Sequence, residues 1–165
     1  MNKKRLVVAF SGPSNSGKTT AIVKVASILN DSGFKVCIVK HDPKDKAMFD
    51  KEGKDSFKFS QTGADVAVVS PNRTTYFKKN TSTVDEMIDL FQDFDYLLIE
   101  GLKTLELPRI SIFRDRLDES YFGVTDAIAC DETIDSSEIP DGIDILDLNN
   151  PEELILWINK NAKRV

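Results

Sequence analysis

The chain has 165 residues, of which 41% are hydrophobic and 30% are charged, and its formal net charge is −5 at pH 7. This composition is typical of a globular protein, and the length predicts a single domain over residues 1–165. The acidic balance argues against a nucleic-acid partner, because a polyanion-binding surface needs clustered Lys and Arg. No apolar run is long enough to span a membrane, and the amino terminus lacks the apolar segment of a signal peptide. We therefore expect a cytoplasmic protein that binds neither nucleic acid nor membrane.

The first feature in chain order is an apolar strand, residues 6–10, that leads into a glycine-rich loop. Gly12 is followed by four residues and then by Gly17, Lys18 and Thr19, which is the spacing of a phosphate-binding loop. The glycines let backbone N–H groups turn inward around a phosphate, and the helix that starts near Gly17 directs its positive end at the same group. Lys18 can reach the β- and γ-phosphates, and the Thr19 hydroxyl can bind Mg²⁺. The predicted phosphate-binding residues are Gly12, Pro13, Ser14, Asn15, Ser16, Gly17, Lys18, Thr19 and Thr20.

A helix and a second strand follow the loop. Apolar residues recur at helical spacing after the loop, among them Ala21 and Val25, and Gly33 ends the predicted helix. Residues 36–40 form a short, continuously apolar strand that ends in Lys40, which is typical of a parallel strand covered on both faces. Strand, helix and strand together predict a right-handed βαβ unit.

A long polar connection follows, over residues 41–62. Connections of this length are unusual in compact domains and are often functional. Asp42 or Asp45 can hold a water of Mg²⁺ there, because Mg²⁺ usually keeps several waters that carboxylates bind. His41 can titrate near neutral pH, although a lone histidine after a strand is as often a plain exposed side chain.

The rest of the chain alternates predicted strands and helices. The predicted strands are residues 66–69, 74–77 (near a sheet edge), 96–101, 110–113, 127–131 and 143–147. The predicted helices are a short one over residues 56–62 capped by Asp55 or Ser56, one that opens with a capping box at residues 83–86, and a last one capped by Asn150. This alternation predicts a three-layer α/β domain with a mainly parallel central sheet, the architecture of P-loop NTPases.

Polar residues that follow the strands are the remaining candidates for the site, because ligands bind at the carboxyl ends of parallel strands. These positions hold Lys40, Glu100, Gly101 and Asp131. Glu100 can orient a Mg²⁺-bound water or polarise the attacking one, and Gly101 lets the backbone approach the γ-phosphate. Asp131 can accept two hydrogen bonds from N1–H and N2–H₂ of guanine. The usual Asn-Lys-x-Asp guanine motif is absent, and each carboxylate can equally be a solvated residue at a strand end.

Several short motifs occur in an order that is typical of one family. They are the glycine-rich loop, Val39-Lys40-His41, Gly53-Lys54-Asp55-Ser56, Leu98-Ile99-Glu100-Gly101-Leu102-Lys103 and Ala129-Cys130-Asp131. Over nearly its whole length the chain resembles the MobB family of molybdopterin-guanine dinucleotide biosynthesis adaptor proteins. The loop alone is shared by many families, whereas its combination with Lys-His, Gly-Lys-Asp-Ser and Glu-Gly-x-Lys is much more specific. Family members commonly continue Lys-His with Thr-His-His-Asp, whereas this chain has Asp42-Pro43-Lys44-Asp45.

The resemblance implies a GTP-binding homodimer that hydrolyses GTP weakly. It also implies a partner enzyme, the guanylyltransferase that attaches GMP to molybdopterin, and makes the molybdenum cofactor a candidate ligand. The candidate site residues are Lys18 and Glu100 for catalysis, and Thr19, Asp42 and Glu100 for Mg²⁺. Lys40, Gly101 and Asp131 join the loop from Gly12 to Thr20 as candidates for binding GTP.

Two other functions stay open from the residues alone. The first is a small-molecule kinase that binds its acceptor at residues 41–62, but a kinase generally clamps the phosphates with arginines in a lid. The arginines here are scattered: Arg73, Arg109, Arg114 and Arg116. The second is an ATP-binding regulatory module that switches by ordering its loop. A preference for GTP over ATP by more than about tenfold, which corresponds to 1.4 kcal/mol, would count against that module.

Overall fold

The computed structural model describes residues 4–165, which fold as two compact units. Of the described residues, the larger unit contains 4–41 and 91–165, and the smaller unit is Asp42–Leu90. The boundary at Asp42 coincides with the start of the polar connection. The expectation of one nucleotide-binding domain over residues 1–165 stays a prediction.

Nine strands and four α-helices occur among the described residues. In chain order they are β1 (Leu6–Ser11), α1 (Lys18–Asp31), β2 (Val36–Lys40), α2 (Asp55–Gln61), β3 (Val66–Val69), β4 (Thr74–Phe77), α3 (Val84–Phe91), β5 (Tyr96–Glu100), β6 (Arg109–Phe113), β7 (Ala127–Cys130), β8 (Asp144–Asp147), α4 (Pro151–Asn161) and β9 (Lys163–Arg164). Two 3-10 helices, Glu119–Val124 and Ser136–Glu138, lie before and after β7. Between residues 4 and 165, no helix is long and apolar enough to cross a bilayer.

The central sheet of the larger unit is mainly parallel, as the sequence predicts. Its strand order is β2-β5-β1-β6-β7-β8, and all neighbours along this path run parallel. The short strand β9 pairs antiparallel with the start of β1 and was not predicted. Because β1 lies between β5 and β6, the glycine-rich loop that follows it emerges from the middle of the carboxyl edge of the sheet.

Helices α1 and α4 cover one face of this sheet. Alternate residues of β1, from Leu6 to Phe10, pack with Val25 of α1 and with Leu154 and Ile158 of α4. On the opposite face, Phe113 and the residues around the 3-10 helices form a second apolar cluster. Each fully buried side chain of this kind contributes about 1.5–3 kcal/mol through the hydrophobic effect. All six residues of β1 are buried, since a central parallel strand is covered on both sides.

The expectation that β2 is covered on both faces is wrong. β2 is an edge strand with β5 as its neighbour in the sheet, and Ile38 is 45% exposed. Its other apolar residues are only partly buried. A short apolar run does not distinguish a central strand from an edge strand, because that position depends on which strands pair with it.

The smaller unit contains α2 and a two-stranded antiparallel sheet of β3 and β4. The sequence predicts both strands but not that they form a sheet of their own. Helix α3 begins at the predicted capping box: the Glu86 amide donates to the Thr83 hydroxyl at 3.2 Å, and the Thr83 amide donates to the Glu86 carboxylate at 2.9 Å. The predicted cap of α4 is also confirmed, since the Glu153 amide donates to the side-chain oxygen of Asn150.

Candidate nucleotide-binding site

The backbone of the glycine-rich loop has the conformation that a phosphate-binding loop requires. Gly12 has φ 134°, Gly17 has φ 97° and Asn15 has φ 63°, so the loop turns repeatedly through left-handed conformations. A Cβ on Gly12 would lie 2.2 Å from the carbonyl oxygen of Ile112, so only glycine fits against β6 there. Gly17 precedes α1 and offers no side-chain cap. The first N–H groups of α1 are therefore available to an anion.

Lys18 lies across the loop that precedes it. Its ammonium group donates to the carbonyl oxygen of Gly12 at 2.9 Å and to that of Pro13 at 2.6 Å. Burial lowers the pKa of Lys18, the nearby Glu100 carboxylate raises that pKa, and Lys40 lowers it further. Lys18 is thus close enough to Lys40 and Glu100, two predicted site residues outside the loop, for their charges to affect its pKa.

Ser16 provides the clearest sign that the loop is built for a ligand. Its residue is 3% exposed, and its hydroxyl has no hydrogen-bond partner among the described residues. A buried hydroxyl without a partner costs about 1–3 kcal/mol, so such a group in a native fold generally serves a ligand or water. Together with the turned backbone and the uncapped α1, this hydroxyl makes the loop fit a phosphate group.

Glu100 and Lys40 lie side by side at the carboxyl edge of the sheet. Lys40 of β2, Glu100 of β5 and Phe10 of β1 are paired in one row across the three strands. The amide of Gly101 donates to the carbonyl oxygen of Phe10 at 2.9 Å, which ties the chain after β5 to the strand that leads into the loop. The amide of His41 in turn donates to the carbonyl oxygen of Glu100 at 3.0 Å. The structure therefore brings Lys40, Glu100 and Gly101 together beside the loop.

The oxygen atoms needed for Mg²⁺ are present near the loop. Thr19 is exposed on the first turn of α1, and Glu100 is only partly buried. Across residues 4–165, no three His, Cys, Asp or Glu side chains form a cluster that could hold a metal ion alone. Mg²⁺ does not require one, because it is usually held by one or two side chains together with phosphates and waters. The hydroxyl and the carboxylate therefore fit Mg²⁺ bound together with a nucleotide.

Asp42 lies in the smaller unit. Its carboxylate accepts from the amides of Lys46 at 2.6 Å and Ala47 at 2.7 Å, so it organises the turn that follows β2. The role of Asp42 at Mg²⁺ stays a prediction.

Asp131, which directly follows β7, forms an ion pair and hydrogen bonds with other residues of the chain. One carboxylate oxygen lies 2.8 Å from Nε of Arg114, and the other accepts from the amide and hydroxyl of Thr133. The Thr133 hydroxyl and amide, with the Arg114 guanidinium, hold the pKa of Asp131 below its usual value. The guanidinium also lies beside the loop, 4.0 Å from the position of a Cβ on Gly17. Arg114 therefore contacts Asp131 and also lies beside the loop, and the sequence leaves the role of Arg114 undecided.

A small pocket of about 50 Å³ lies next to Arg114 and the start of α1. It is lined by Gly17, Thr20, Ala21, Lys24, Arg114, Leu148 and Asn149. Lys24 and Asn149 are exposed and were not among the predicted residues. Asn149 directly follows Leu148 at the end of β8, so the rule that ligands bind after the strands would have found it.

Arg109 is a further residue that was not among the predicted site residues. Its side chain is fully buried at the start of β6, and it donates to the Ser11 hydroxyl at 2.7 Å and to the carbonyl oxygen of Gly101 at 3.0 Å. Ser11 directly precedes the predicted site residue Gly12, and Gly101 is itself a predicted site residue. The sequence feature that could have identified Arg109 is its position directly before an apolar strand, because a charged residue is rarely fully buried without a specific role.

Comparisons with known proteins identify the family of this chain and agree with its fold. Residues 7–131 match the family model of molybdopterin guanine dinucleotide synthesis protein B, MobB. A molybdopterin-guanine dinucleotide biosynthesis adapter protein of Escherichia coli K12 is 27% identical, with 93% of this chain and 94% of that protein aligned.

The chain is also similar to an archaeal relative over part of its length and to a solved structure over nearly all of it. A relative from Methanocaldococcus jannaschii is 31% identical over 116 residues, which cover 67% of this chain and 48% of the relative. The chain thus spans about half the length of that protein. The crystal structure of Bacillus subtilis MobB is 25% identical with a TM-score of 0.77, over 94% of this chain and 98% of that one. By its sequence, its sheet and its phosphate-binding loop, this chain belongs to the MobB family.

Proposed function

We propose that this chain is a GTP-binding adaptor of molybdenum cofactor biosynthesis, with a weak GTPase activity. In this role it supports the guanylyltransferase that joins GMP to molybdopterin. The observation that carries the proposal is the loop itself: a turned glycine backbone, the ammonium of Lys18 and the unpartnered hydroxyl of Ser16, in a member of the MobB family.

In this proposal the loop, Glu100 and Asp131 have different roles. The backbone from Gly12 to Thr20 binds the phosphates, and Lys18 neutralises their negative charge. The Thr19 hydroxyl and the Glu100 carboxylate hold Mg²⁺ and its waters. Glu100 also orients the water that attacks the terminal phosphate, and GTP supplies the anhydride bond that this water breaks. Asp131 recognises the guanine base through its carboxylate.

Calorimetric titration with Mg²⁺ and either GTP or ATP tests the nucleotide assignment. We expect GTP to bind more than about tenfold more tightly than ATP, and Lys18→Ala to abolish binding of both while the fold is kept. Lys160→Ala is the matched control, because Lys160 is an exposed lysine on α4 of the same unit. Unchanged GTP affinity in Lys18→Ala would contradict the proposal, and equal affinity for ATP would leave the regulatory ATP-binding module as the better explanation.

The buried Arg109 supports an adaptor rather than a kinase. Both of its Nη atoms donate to oxygens of the protein itself, and Arg114 is paired with Asp131. Arg109 is therefore not available to close over phosphates as part of a lid. A kinase would transfer the terminal phosphate to an added acceptor, whereas we expect hydrolysis to be the only fate of GTP on this chain.

The adaptor role is tested with a purified molybdopterin guanylyltransferase. We expect the chain to co-purify with that enzyme and to increase the yield of molybdopterin guanine dinucleotide when GTP, Mg²⁺ and molybdopterin are supplied. Lys18→Ala should lose the stimulation, whereas Lys160→Ala should keep it. A yield that the wild-type chain leaves unchanged would contradict the adaptor role but not nucleotide binding. Nucleotide analysis of the co-purified material shows whether GTP travels with the complex.

We also propose that the chain is a homodimer in the cytoplasm. The proposal follows from membership in the MobB family and from the exposed apolar residues of the larger unit, such as Ile38 on the edge strand β2. Sedimentation equilibrium tests it directly, and a mass that stays that of one chain at micromolar concentration would contradict it.

A further inference from the structure

Arg109 is a charged side chain in the buried interior of the larger unit. Its residue is 0% exposed, and burial lowers the pKa of its guanidinium. Nη1 donates to the Ser11 hydroxyl and to the carbonyl oxygen of Gly101, and Nη2 donates to the carbonyl oxygens of Leu102 at 2.9 Å and Leu105 at 3.0 Å. Nε has no partner among residues 4–165. Its four side-chain bonds all go to uncharged oxygens. The Asp126 carboxylate, which accepts from the Arg109 amide at 2.9 Å, only partly offsets the effect of burial on the pKa of the guanidinium.

The four acceptors belong to two segments that adjoin the proposed nucleotide site. Ser11 is the last residue of β1 and directly precedes the phosphate-binding loop. Gly101, Leu102 and Leu105 belong to the segment of residues 101–105, which directly follows Glu100. One side chain thus joins the base of the loop to the segment that carries on from the candidate catalytic carboxylate.

Segment 101–105 needs such support, because its backbone is strained at its start. Gly101 has φ 93° and Leu102 has φ 52°. The left-handed region is unfavourable for leucine, so a residue persists there only when surrounding contacts hold it. The bond from Arg109 to the carbonyl oxygen of Leu102 is one of these contacts. The amide of Leu105 also donates to the carbonyl oxygen of Leu102, which closes a turn around the guanidinium.

Stability alone does not account for an arginine at this position. A buried charge costs free energy that hydrogen bonds to neutral groups only partly recover, and an apolar residue of similar volume usually serves a core at least as well. The neighbouring residues of β6 from Ile110 to Phe113 are buried without any charge. A guanidinium, however, can bond several oxygens at once in a fixed planar arrangement. The arginine therefore fixes the position of residues 101–105 relative to the end of β1.

We propose that Arg109 is a positioning residue of the nucleotide site, which holds residues 101–105 against the end of β1 and thereby sets where the Glu100 carboxylate lies relative to the phosphate-binding loop. This inference rests on the proposed function, because it concerns the position of the group that orients the attacking water. Arg109 itself touches neither nucleotide nor Mg²⁺. Loss of its bonds leaves the loop able to bind phosphate but displaces Glu100.

Two measurements on the full chain test the proposal. The first is amide hydrogen exchange, resolved by peptide, in the wild type, Arg109→Met, Arg109→Lys and the control Leu154→Ala. Leu154 is fully buried on α4, so its truncation destabilises the unit without touching residues 101–105. We expect Arg109→Met to speed exchange at residues 101–107 by tenfold or more, with α1 and β7 unaffected, and Arg109→Lys to give a smaller effect. In Leu154→Ala we expect exchange to rise in α4 and its neighbours instead.

The second measurement separates GTP binding from hydrolysis in the same variants. A displacement of about 1 Å in a catalytic group costs on the order of 100-fold in rate. We therefore expect the rate constant of Arg109→Met to fall by about that factor while its affinity for GTP changes less than threefold, with partial recovery in Arg109→Lys. Leu154→Ala should keep both values at a temperature where it is folded. If Arg109→Met does not fold, the comparison of Arg109→Lys with Leu154→Ala decides.

The outcomes distinguish this inference from the proposed function. A uniform rise in exchange across the larger unit of Arg109→Lys, or unchanged exchange at residues 101–107, overturns the positioning role. Equal loss of affinity and rate in Arg109→Lys also overturns it. A wild-type chain that binds no GTP would overturn the proposed function, whereas the exchange pattern would still decide whether Arg109 holds the segment.

Discussion

Nε of Arg114 lies 2.8 Å from a carboxylate oxygen of Asp131, so the candidate guanine-binding residue has a cationic partner next to the phosphate-binding loop. Arg114 follows β6 and Asp131 follows β7, and the two strands are neighbours in the sheet. A carboxylate has about four acceptor sites, and the bonds from Arg114 and Thr133 occupy three, so about one site on Asp131 is left to accept from a base. The pair fixes the orientation of the carboxylate, and the Arg114 guanidinium lies next to Gly17, which directly precedes α1.

The first prediction concerns the choice of base. Replacing Asp131 by Ala removes an acceptor for the N1–H and N2–H₂ groups of guanine, and hydrogen bonds of this kind to a charged group are worth about 1.5–3 kcal/mol. We expect GTP affinity to fall by about tenfold or more and ATP affinity to stay the same, as measured by calorimetry.

Asp135→Ala is the matched control for that experiment. The Asp135 carboxylate also accepts from the amide and hydroxyl of the residue two positions on, Ser137, so it makes the same local turn as Asp131. It should leave the affinities for both nucleotides unchanged. Equal losses for GTP and ATP in Asp131→Ala would indicate a structural role for Asp131 instead of base recognition.

The second prediction concerns stability in acid. The bonds from Thr133 and the Arg114 guanidinium lower the pKa of Asp131 in the folded protein. A carboxyl group whose folded pKa is lowered contributes stability above its unfolded pKa, which is about 3.9, and loses that contribution as the pH falls through the folded pKa. We expect Asp131→Asn to be less stable than the wild type at pH 7, and the difference to shrink below about pH 4. Urea unfolding at several pH values measures this, and a difference that stays constant down to pH 3 would contradict it.

The third prediction concerns hydrolysis. Glu100 lies beside Lys40 and the strand that leads into the loop, and Glu100→Gln keeps its shape while removing its charge. We expect the rate constant of GTP hydrolysis to fall by about 100-fold, since positioned acids and bases contribute about 10²–10⁴. Affinity for GTP should change much less. Glu106→Gln, at an exposed carboxylate a few residues further along, should behave like the wild type. Unchanged turnover in Glu100→Gln would remove Glu100 from the mechanism.

The fourth prediction separates backbone strain from close packing at the glycines. A Cβ on Gly12 would meet the Ile112 carbonyl oxygen, whereas a Cβ on Gly33, which also has positive φ, would have no atom within 4 Å. Gly33→Ala should therefore cost only the strain, about 1 kcal/mol, and Gly12→Ala should cost about 3 kcal/mol because the backbone must also move. Gly12→Ala should lose nucleotide binding as well. Chemical denaturation and calorimetry measure the two effects, and equal costs would show that Gly12 is not confined by β6.

Much of the fold could be predicted because its signals are local. The capping box at Thr83 and the N-cap at Asn150 are short-range patterns that the structure confirms, and the glycines of the loop adopt the left-handed conformations that their spacing predicts. The edge position of β2 and the separate hairpin of β3 and β4 could not be predicted, because strand pairing depends on residues far apart in the chain.

In the candidate site, too, some residues could be predicted from local sequence patterns and others could not. Polar residues after strands pointed to Lys40, Glu100 and Asp131, since the carboxyl ends of parallel strands meet at one edge. The structure brings Lys40 and Glu100 into one row beside the loop and links Asp131 to the loop through Arg114. Arg109 was overlooked because it precedes the apolar run of β6, where an arginine resembles an ordinary solvated strand end.

By itself, the sequence predicted a phosphate-binding loop between a buried strand and a helix, because glycine conformation, helix polarity and the lysine side chain act within a few residues of one another. Only the tertiary structure decided what surrounds that loop. Arg109 reaches Ser11 and residues 101–105 because the pairing of β1 with β6 places it there. Arg114 reaches Asp131 because β6 lies beside β7. Contacts between residues so far apart in the chain depend on the order of strands in the sheet, which no local pattern specifies.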